Sequence, residues 1–323
     1  MKNITIGRTI VFGVRLIAAV LVTQAAVWAT NFNIQTVQFP TDPTFTQLLG
    51  INNSGKIAGF HGAVTAQGFT LTLPNSFANE NFPGSAQTMV TGINNTGSTV
   101  GIYVDTAGTT HGFTETGGAF KKVDQGGTVF NQGLGINDSN VTVGYSSAID
   151  PAGQVGQKAY SQSGGIFTDI NALLPSNQNS QAVGINNAGN IVGFYLPTAA
   201  TSVGFADIGG TIKTIDPFGS TFTQALGINN LGEIVGFYTD AGGVQHGYTD
   251  LNGLFSSFDP PGSANTTING INDLGQIVGF YTDANDNTIG FVGTPTPTPE
   301  PQALALVSAG FLLVGVLRRR RTR

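Results

Sequence analysis

The 323-residue chain contains no cysteine, so it builds no disulfide framework, no thiolate metal site and no cysteine nucleophile. Charge is also scarce. Asp, Glu, Lys and Arg together make up 10% of the residues, and between positions 30 and 298 there is no arginine at all. In that stretch Lys56, Lys121, Lys122, Lys158 and Lys213 face 17 acidic residues, a net charge of −12 that the whole-chain value of −5 conceals. A nucleic-acid binder needs a basic stripe, and this region has the opposite sign. Acid–base chemistry has few carriers there: three histidines (His61, His111, His246) and three glutamates (Glu80, Glu115, Glu233). Helix signals are missing too, because no 3.6-residue apolar stripe survives so much glycine, asparagine and threonine.

The two ends differ from the middle. Residues 1–29 carry Lys2, Arg8 and Arg15, then the apolar run "LIAAVLV", then "AVWA" with the small residues Val27 and Ala29. This pattern predicts a secretory signal peptide cleaved after Ala29. At the other end, "TPTPTPEP" (294–301) predicts an extended stalk, since alternating proline holds the chain at about 3 Å per residue. Ala303 to Leu317 is then a run of 15 small or apolar residues, followed by "RRRRTR". A helix of that run is roughly 22 Å long against a hydrocarbon core of ~30 Å, and it spans only if the arginines snorkel and the bilayer thins. A short transmembrane helix is expected over 302–323, with the arginines on the cytoplasmic side.

Pro299, Glu300 and Pro301, followed by this short helix and the cluster Arg318, Arg319, Arg320 and Arg321, closely resemble the PEP-CTERM sorting signal of Gram-negative bacteria. The resemblance covers only the last 25 or so residues. It implies an exosortase-like processing partner, export through the inner membrane and a transient membrane anchor with the main domain outside. Delivery to the cell surface or extracellular matrix would follow. A plain C-terminal tail anchor is the other reading of the same residues.

Between the ends the chain repeats itself. "GINNLGEIVGFYT" begins at Gly227 and "GINDLGQIVGFYT" at Gly270, and the same Gly-Ile opening occurs at Gly50, Gly92, Gly135 and Gly184. The intervals are 42, 43, 49, 43 and 43 residues, with the excess placed in or near "DPAGQVGQ" from Asp150 to Gln157. In the unit starting at Thr223, "QALGI", "EIVGFYT", "VQHGYT" and "LFSSF" read as strands separated by "NNLG", "DAGG" and "DLNG". Asn and Gly tolerate positive φ, and Asx side chains bond the backbone two residues on, so each cluster reverses the chain. "EIVGFY" is almost continuously apolar, as a strand covered on both faces would be. Its glycine, Gly236, recurs as Gly59, Gly101, Gly144, Gly193 and Gly279, and predicts close approach of another backbone or an aromatic ring.

A period of 43 residues with four strands matches a propeller blade. "IQTVQ" at 34–38 aligns with the fourth strand "IKTID" at 212–216, whereas the last unit has no fourth strand of its own. The reading is therefore all-β: a six-bladed β-propeller of four-stranded antiparallel blades over 30–293, closed by the N-terminal strand. An open stack of sheets is the alternative. The units also resemble the bacterial extracellular HAF repeat, with its Gly-Ile-Asn-Asn-x-Gly turn. The later triplet reads "HGF" at His111 and "HGY" at His246, and departs from its namesake in every unit.

No catalytic, cofactor or metal residue stands out. His111 and His246 occupy equivalent places in two units, which fits a structural role better than a single active site. "DANDN" (283–287) resembles the start of a calcium loop, but Thr288 replaces the glycine and the closing glutamate is absent, so it reads as a turn and leaves only a weak, distributed calcium dependence open. "NNS" at Asn52 and "NNT" at Asn94 fit the glycosylation triplet within the repeated turn. The expectation is a non-catalytic protein whose propeller binds polysaccharide or another surface component, without nucleic acid. A surface hydrolase acting on matrix polysaccharide is the competing reading, since a propeller can bring distant carboxylates together.

Overall fold

The computed structural model describes residues 31–149, 155–175 and 179–296. They form six separate four-stranded antiparallel sheets, the blades of a propeller. Blade five shows the pattern: its strands run Thr223–Ile228, Glu233–Thr239, Gln245–Leu251 and Leu254–Phe258, from the channel outward, with the turns where the Asn-Gly and Asp-Gly clusters lie. Gly232 and Gly253 take φ of 83° and 85° in two of these turns, which a Cβ would strain.

Blade six is built from both ends of the domain. Phe32–Val37 pairs antiparallel with Thr288–Pro295 and supplies the outermost strand of the sheet that begins at Asn265–Ile271. The closing strand reaches Pro295, two residues into the expected stalk, and Thr296 donates its N–H to the Asn31 carbonyl. The core crosses this seam, because Val278 and Val292 of blade six pack with Leu48, Ile57 and Phe69 of blade one. Each buried aliphatic side chain contributes about 1.5–3 kcal/mol, so closure rests on apolar packing as well as on the strand ladder.

The second strand of each blade lies between neighbours, as its apolar run implies. Ile234 packs with Val192 and Ala206 of blade four, while the adjacent Val235 packs with Ile268 and Ile277 of blade six. The conserved mid-strand glycine of the repeat faces an aromatic ring on the neighbouring strand of its own blade: Gly59 pairs with Phe69, Gly101 with Phe113, Gly144 with Tyr160, Gly193 with Phe205, Gly236 with Tyr248 and Gly279 with Phe291. A Cβ on Gly236 would sit 2.0 Å from the Gln224 carbonyl oxygen and 3.0 Å from the Tyr248 ring. The ring covers the gap that the missing side chain leaves.

The six extra residues of unit three are divided. Four lengthen the hairpin between Thr142–Ile149 and Val155–Ser163, and two lie in the connection after Ile166–Asp169 that includes the short turn Asn171–Leu173.

The transmembrane part of the expected fold is corrected. Among the described residues no helix is long and apolar enough to cross a membrane. The segments expected as signal peptide (1–29) and transmembrane helix (302–323) lie outside the described residues, together with Pro299, Glu300, Pro301 and Arg318, Arg319, Arg320 and Arg321. The physical weakness was in the sequence: 15 apolar residues fall short of the ~20 that a spanning helix needs. The exosortase-like partner, the membrane anchor and the surface-directed route rested wholly on those end segments and are withdrawn.

Candidate functional site

The inner strands Thr46–Ile51, Gln87–Ile93, Phe130–Ile136, Ser180–Ile185, Thr223–Ile228 and Asn265–Ile271 surround the central channel. All six carry a register shift at the same place, between Leu48 and Gly50 in blade one and at the equivalent residues elsewhere. Such a bulge re-aims the extra side chain. It turns Leu49, Thr91, Leu134, Val183, Leu226 and Asn269 into the channel wall. The glycine after each bulge meets the next blade backbone to backbone: a Cβ on Gly50 would lie 3.0 Å from the Gly92 Cα, and one on Gly270 3.1 Å from the Gly50 Cα. The channel encloses about 140 Å³ here.

At one end the Asn-Asn turns staple the blades together around a smaller space of about 90 Å³. The first asparagine serves two blades: Asn229 Oδ1 accepts the N–H of Leu231 (3.0 Å) and Glu233 (2.9 Å) in its own turn, while Nδ2 donates to the Asn272 carbonyl of the next blade (3.2 Å). The chain of donations runs from Asn52 through Asn94, Asn137, Asn186 and Asn229 to Asn272, which returns to the Asn52 carbonyl across the seam. A second ring lies outside it. Each of Asn53, Asn95, Asp138, Asn187, Asn230 and Asp273 gives its backbone N–H to the Oδ1 of its counterpart in the following blade. Asp138 and Asp273, three blades apart, also accept side-chain amides from both neighbours. Burial works against ionisation of these two aspartates, but the Asn95 and Asn187 amides at Asp138, and the Asn230 and Asn53 amides at Asp273, outweigh it and hold both below the usual carboxylate range. The glycosylation triplets are explained by the same bonds, since Asn52 and Asn94 are buried with both side-chain atoms engaged.

The opposite end is open. A cavity of about 650 Å³ is walled by Gln47, Gln181, Gln224 and Gln245, by Phe194, Phe237 and Phe280, and by Leu134, Leu226 and Asn269 below them. Inner-strand glutamines stand directly across the ladder from two of these rings, Gln181 from Phe194 and Gln224 from Phe237, and Gln47 stands across from Phe60 in the same way. Thr267 and Met89 take the glutamine position in blades six and two, so the ring of amides is uneven. None of the cavity-lining side chains is ionisable. Amide donors and acceptors around aromatic edges recognise neutral hydroxyl-bearing molecules; they do not supply a general acid, a base or a nucleophile.

The titratable groups lie elsewhere. His111 bridges Asp124 (Nδ1, 2.7 Å) and Asp105 (Nε2, 3.2 Å), and His246 bridges Asp259 (2.7 Å) and Asp240 (3.4 Å) in the same way. Each ties its blade's second hairpin to the loop leaving the outer strand. Burial disfavours the charge on His246, yet the bonds to Asp259 and Asp240 prevail and raise its pKa. His61 lies elsewhere in its blade, stacked on Phe39 with ring centres 3.6 Å apart. "DANDN" is a turn: Asp283 Oδ1 accepts the N–H of Asn285 and Asn287, as Asp105 and Asp240 do in their turns. Among the described residues no three His, Asp or Glu side chains converge as a metal site.

One carboxyl pair does form. Glu80 follows the outer strand of blade one, at a position filled by Val37, Val123, Ile170, Ile215 and Phe258 in the other units. It lies against Glu115 of blade two and accepts a bond from Thr99 (3.3 Å). Burial, and then the hydrogen bond and charge of Glu115, push its pKa up to about 7. Aligning the outer strands exposes this glutamate as the one polar residue in an apolar column. Glu115 itself accepts the Gly118 N–H, a turn bond that Asp207 and Asp250 make to Gly210 and Gly253.

No family model matches the chain, and no curated protein matches it. Among solved structures, it is similar to a lectin of Aleuria aurantia in complex with Fucα1-6GlcNAc (TM-score 0.46, 11% identity, covering 79% of this chain and 97% of that one). It is also similar to AofleA from Arthrobotrys oligospora (TM-score 0.48, 9% identity, 84% and 91% covered) and to a gluconolactonase from Xanthomonas campestris (TM-score 0.49, 11% identity, 85% and 94% covered). At these identities the likeness concerns the path of the chain, and no chemistry is taken from it.

Proposed function

We propose that this protein is a non-catalytic propeller that binds a neutral glycan at the open mouth of its central channel. One observation carries the reading: a cavity of about 650 Å³ is lined by four glutamines and three phenylalanines, with no ionisable side chain. The amides of Gln47 and Gln224 make no hydrogen bond within the described protein, so they are available to a ligand's hydroxyl groups. Phe194 and Phe237 are buried walls, whereas Phe280 is partly exposed and offers its ring to the apolar face of a sugar. The HAF-like units fit this role as construction: the Asn-Asn turns staple the blades at the narrower end of the channel and leave the wider mouth for a ligand.

Isothermal titration of the purified domain against a panel of neutral and acidic bacterial polysaccharides tests the proposal. Saturable binding to a neutral glycan, weakened about tenfold or more by Gln224→Ala or Phe280→Ala without new reducing ends, is the expected result. Release of reducing ends would instead favour the hydrolase reading. Binding that ignores both substitutions would move the site away from the channel mouth.

A further inference from the structure

In three of the six blades the residue near the start of the third strand hydrogen-bonds the residue just past the outer strand. Asn81 donates to Gln67 in blade one (2.6 Å), His111 bonds Asp124 in blade two (2.7 Å) and His246 bonds Asp259 in blade five (2.7 Å). Blade three places Lys158 with Asn171, and blade six places Ile289 with Gln38. Blade four alone sets a carboxylate, Asp216, against an aliphatic side chain, Val203.

Blades four and five are otherwise close copies at this point. "DPFGSTFT" (216–223) and "DPPGSANT" (259–266) have the same length, and Tyr195 stands across the ladder from Val203 as Tyr238 does from His246. In blades two and five the tyrosine ring lies over the imidazole, with centres 4.8 and 5.3 Å apart. Blade four therefore keeps the ring and one of the two carboxylates that hold an imidazole elsewhere, has Pro197 where Asp105 and Asp240 stand, and lacks the imidazole. A cleft of about 400 Å³ opens there, lined by Tyr195, Val203, Asp216, Ser220, Thr221 and Thr223. Asp216 makes no side-chain cap to its own turn and has no other partner among the described residues.

A second observation lies in the same wall. Thr223 is 1% exposed, and its Oγ1 has no hydrogen-bond partner. The cause is local: the equivalent Thr46 and Thr88 accept the N–H of Phe39 (2.8 Å) and Phe82 (3.1 Å), but that loop position is Pro217 here and has no N–H to give. Thr266 is orphaned by Pro260 for the same reason, beneath a blade whose site is already filled by His246.

We infer that the blade-four cleft is a binding site for a planar nitrogen cation of the imidazolium or guanidinium class, seated where His246 sits in blade five. Asp216 accepts the N–H of the cation and Tyr195 covers its face, in a wall that also carries the hydroxyls of Ser220, Thr221 and Thr223. This site is separate from the channel mouth and stands or falls independently of it.

The test uses the whole domain, 15N-labelled, at pH 6, where imidazole is largely protonated. Imidazole and the blocked peptide acetyl-Gly-His-Gly-amide are titrated separately, following the amide signals of Tyr195, Ser202 and Thr221. The expected result is saturable shifts with imidazole, weakened about tenfold in Asp216→Asn and abolished in Val203→His, whose own side chain fills the place. Matching shifts with the peptide identify a protein side chain as the source of the cation, and shifts with imidazole alone identify a small molecule. Absence of saturable shifts with either probe, or equal shifts in Val203→His, overturns the inference. Val203→His reproduces a residue already accommodated in blades two and five, and the Asp216→Asn arm gives a second, independent reading.

Discussion

The asparagine staples yield the sharpest prediction, because one side chain holds a turn and a blade interface at once. Asn229→Ala removes two bonds to the backbone N–H groups of Leu231 and Glu233 and one to the carbonyl of Asn272. Asn229 is 3% exposed, so water replaces these bonds poorly. At about 0.5–1.5 kcal/mol net for each bond, with the upper end applying where a buried group is left unpaired, the loss comes to about 2–4 kcal/mol. Asn229→Asp separates the two roles. Its carboxylate keeps both turn bonds but faces the Asn272 carbonyl without a proton, so the variant is destabilised at pH 7 and recovers on acidification, when the neutral acid donates again. Urea denaturation followed by far-UV circular dichroism reads both effects. An Asn229→Ala variant within 0.5 kcal/mol of the parent, or an Asn229→Asp variant indifferent to pH, would refute the account of the ring.

Gly236→Ala should fail to fold or lose more than about 3 kcal/mol, because its Cβ would meet the Gln224 carbonyl oxygen at 2.0 Å; soluble yield and the urea midpoint report it. Glu80 is more easily protonated in the folded state than its ordinary value of 4.5 allows, so its stabilising contribution is complete below that pH and is lost as pH rises to about 7. Glu115 and Lys56 are the charged groups around it, and Glu80→Val, the residue of blade two at this position, should flatten that part of the stability profile. His246, held charged by Asp259 and Asp240, should titrate above 6.5 by NMR, and its contribution is present at low pH and lost as pH rises through its raised value. An imidazole titrating at or below 6.5 would contradict the bridge.

The blade pattern was legible in the sequence because it depends on local chemistry repeated six times. Turn clusters of Asn, Asp and Gly marked the strand ends, and the predicted "EIVGFYT" coincides with Glu233–Thr239. The spare strand at one end and the missing one at the other stated the closure that Phe32–Val37 makes with Thr288–Pro295. An aromatic partner for each mid-strand glycine was also foreseeable, although only the ladder showed that it comes from the same blade.

What the sequence alone determined, then, was the repeat, its strands and its count, since periodicity and turn propensity act over a few residues. Tertiary structure decided the rest. The asparagines became staples only when six turns met around one axis, and the glutamines became a site only when the bulges and ladders set them at one mouth. The mismatch of Val203 with Asp216, and of Glu80 with its apolar column, was written in the chain from the start. It acquired meaning once the blades showed which residues face each other, because contact between residues 13 or 35 apart is set by the sheet and its neighbour, not by sequence spacing.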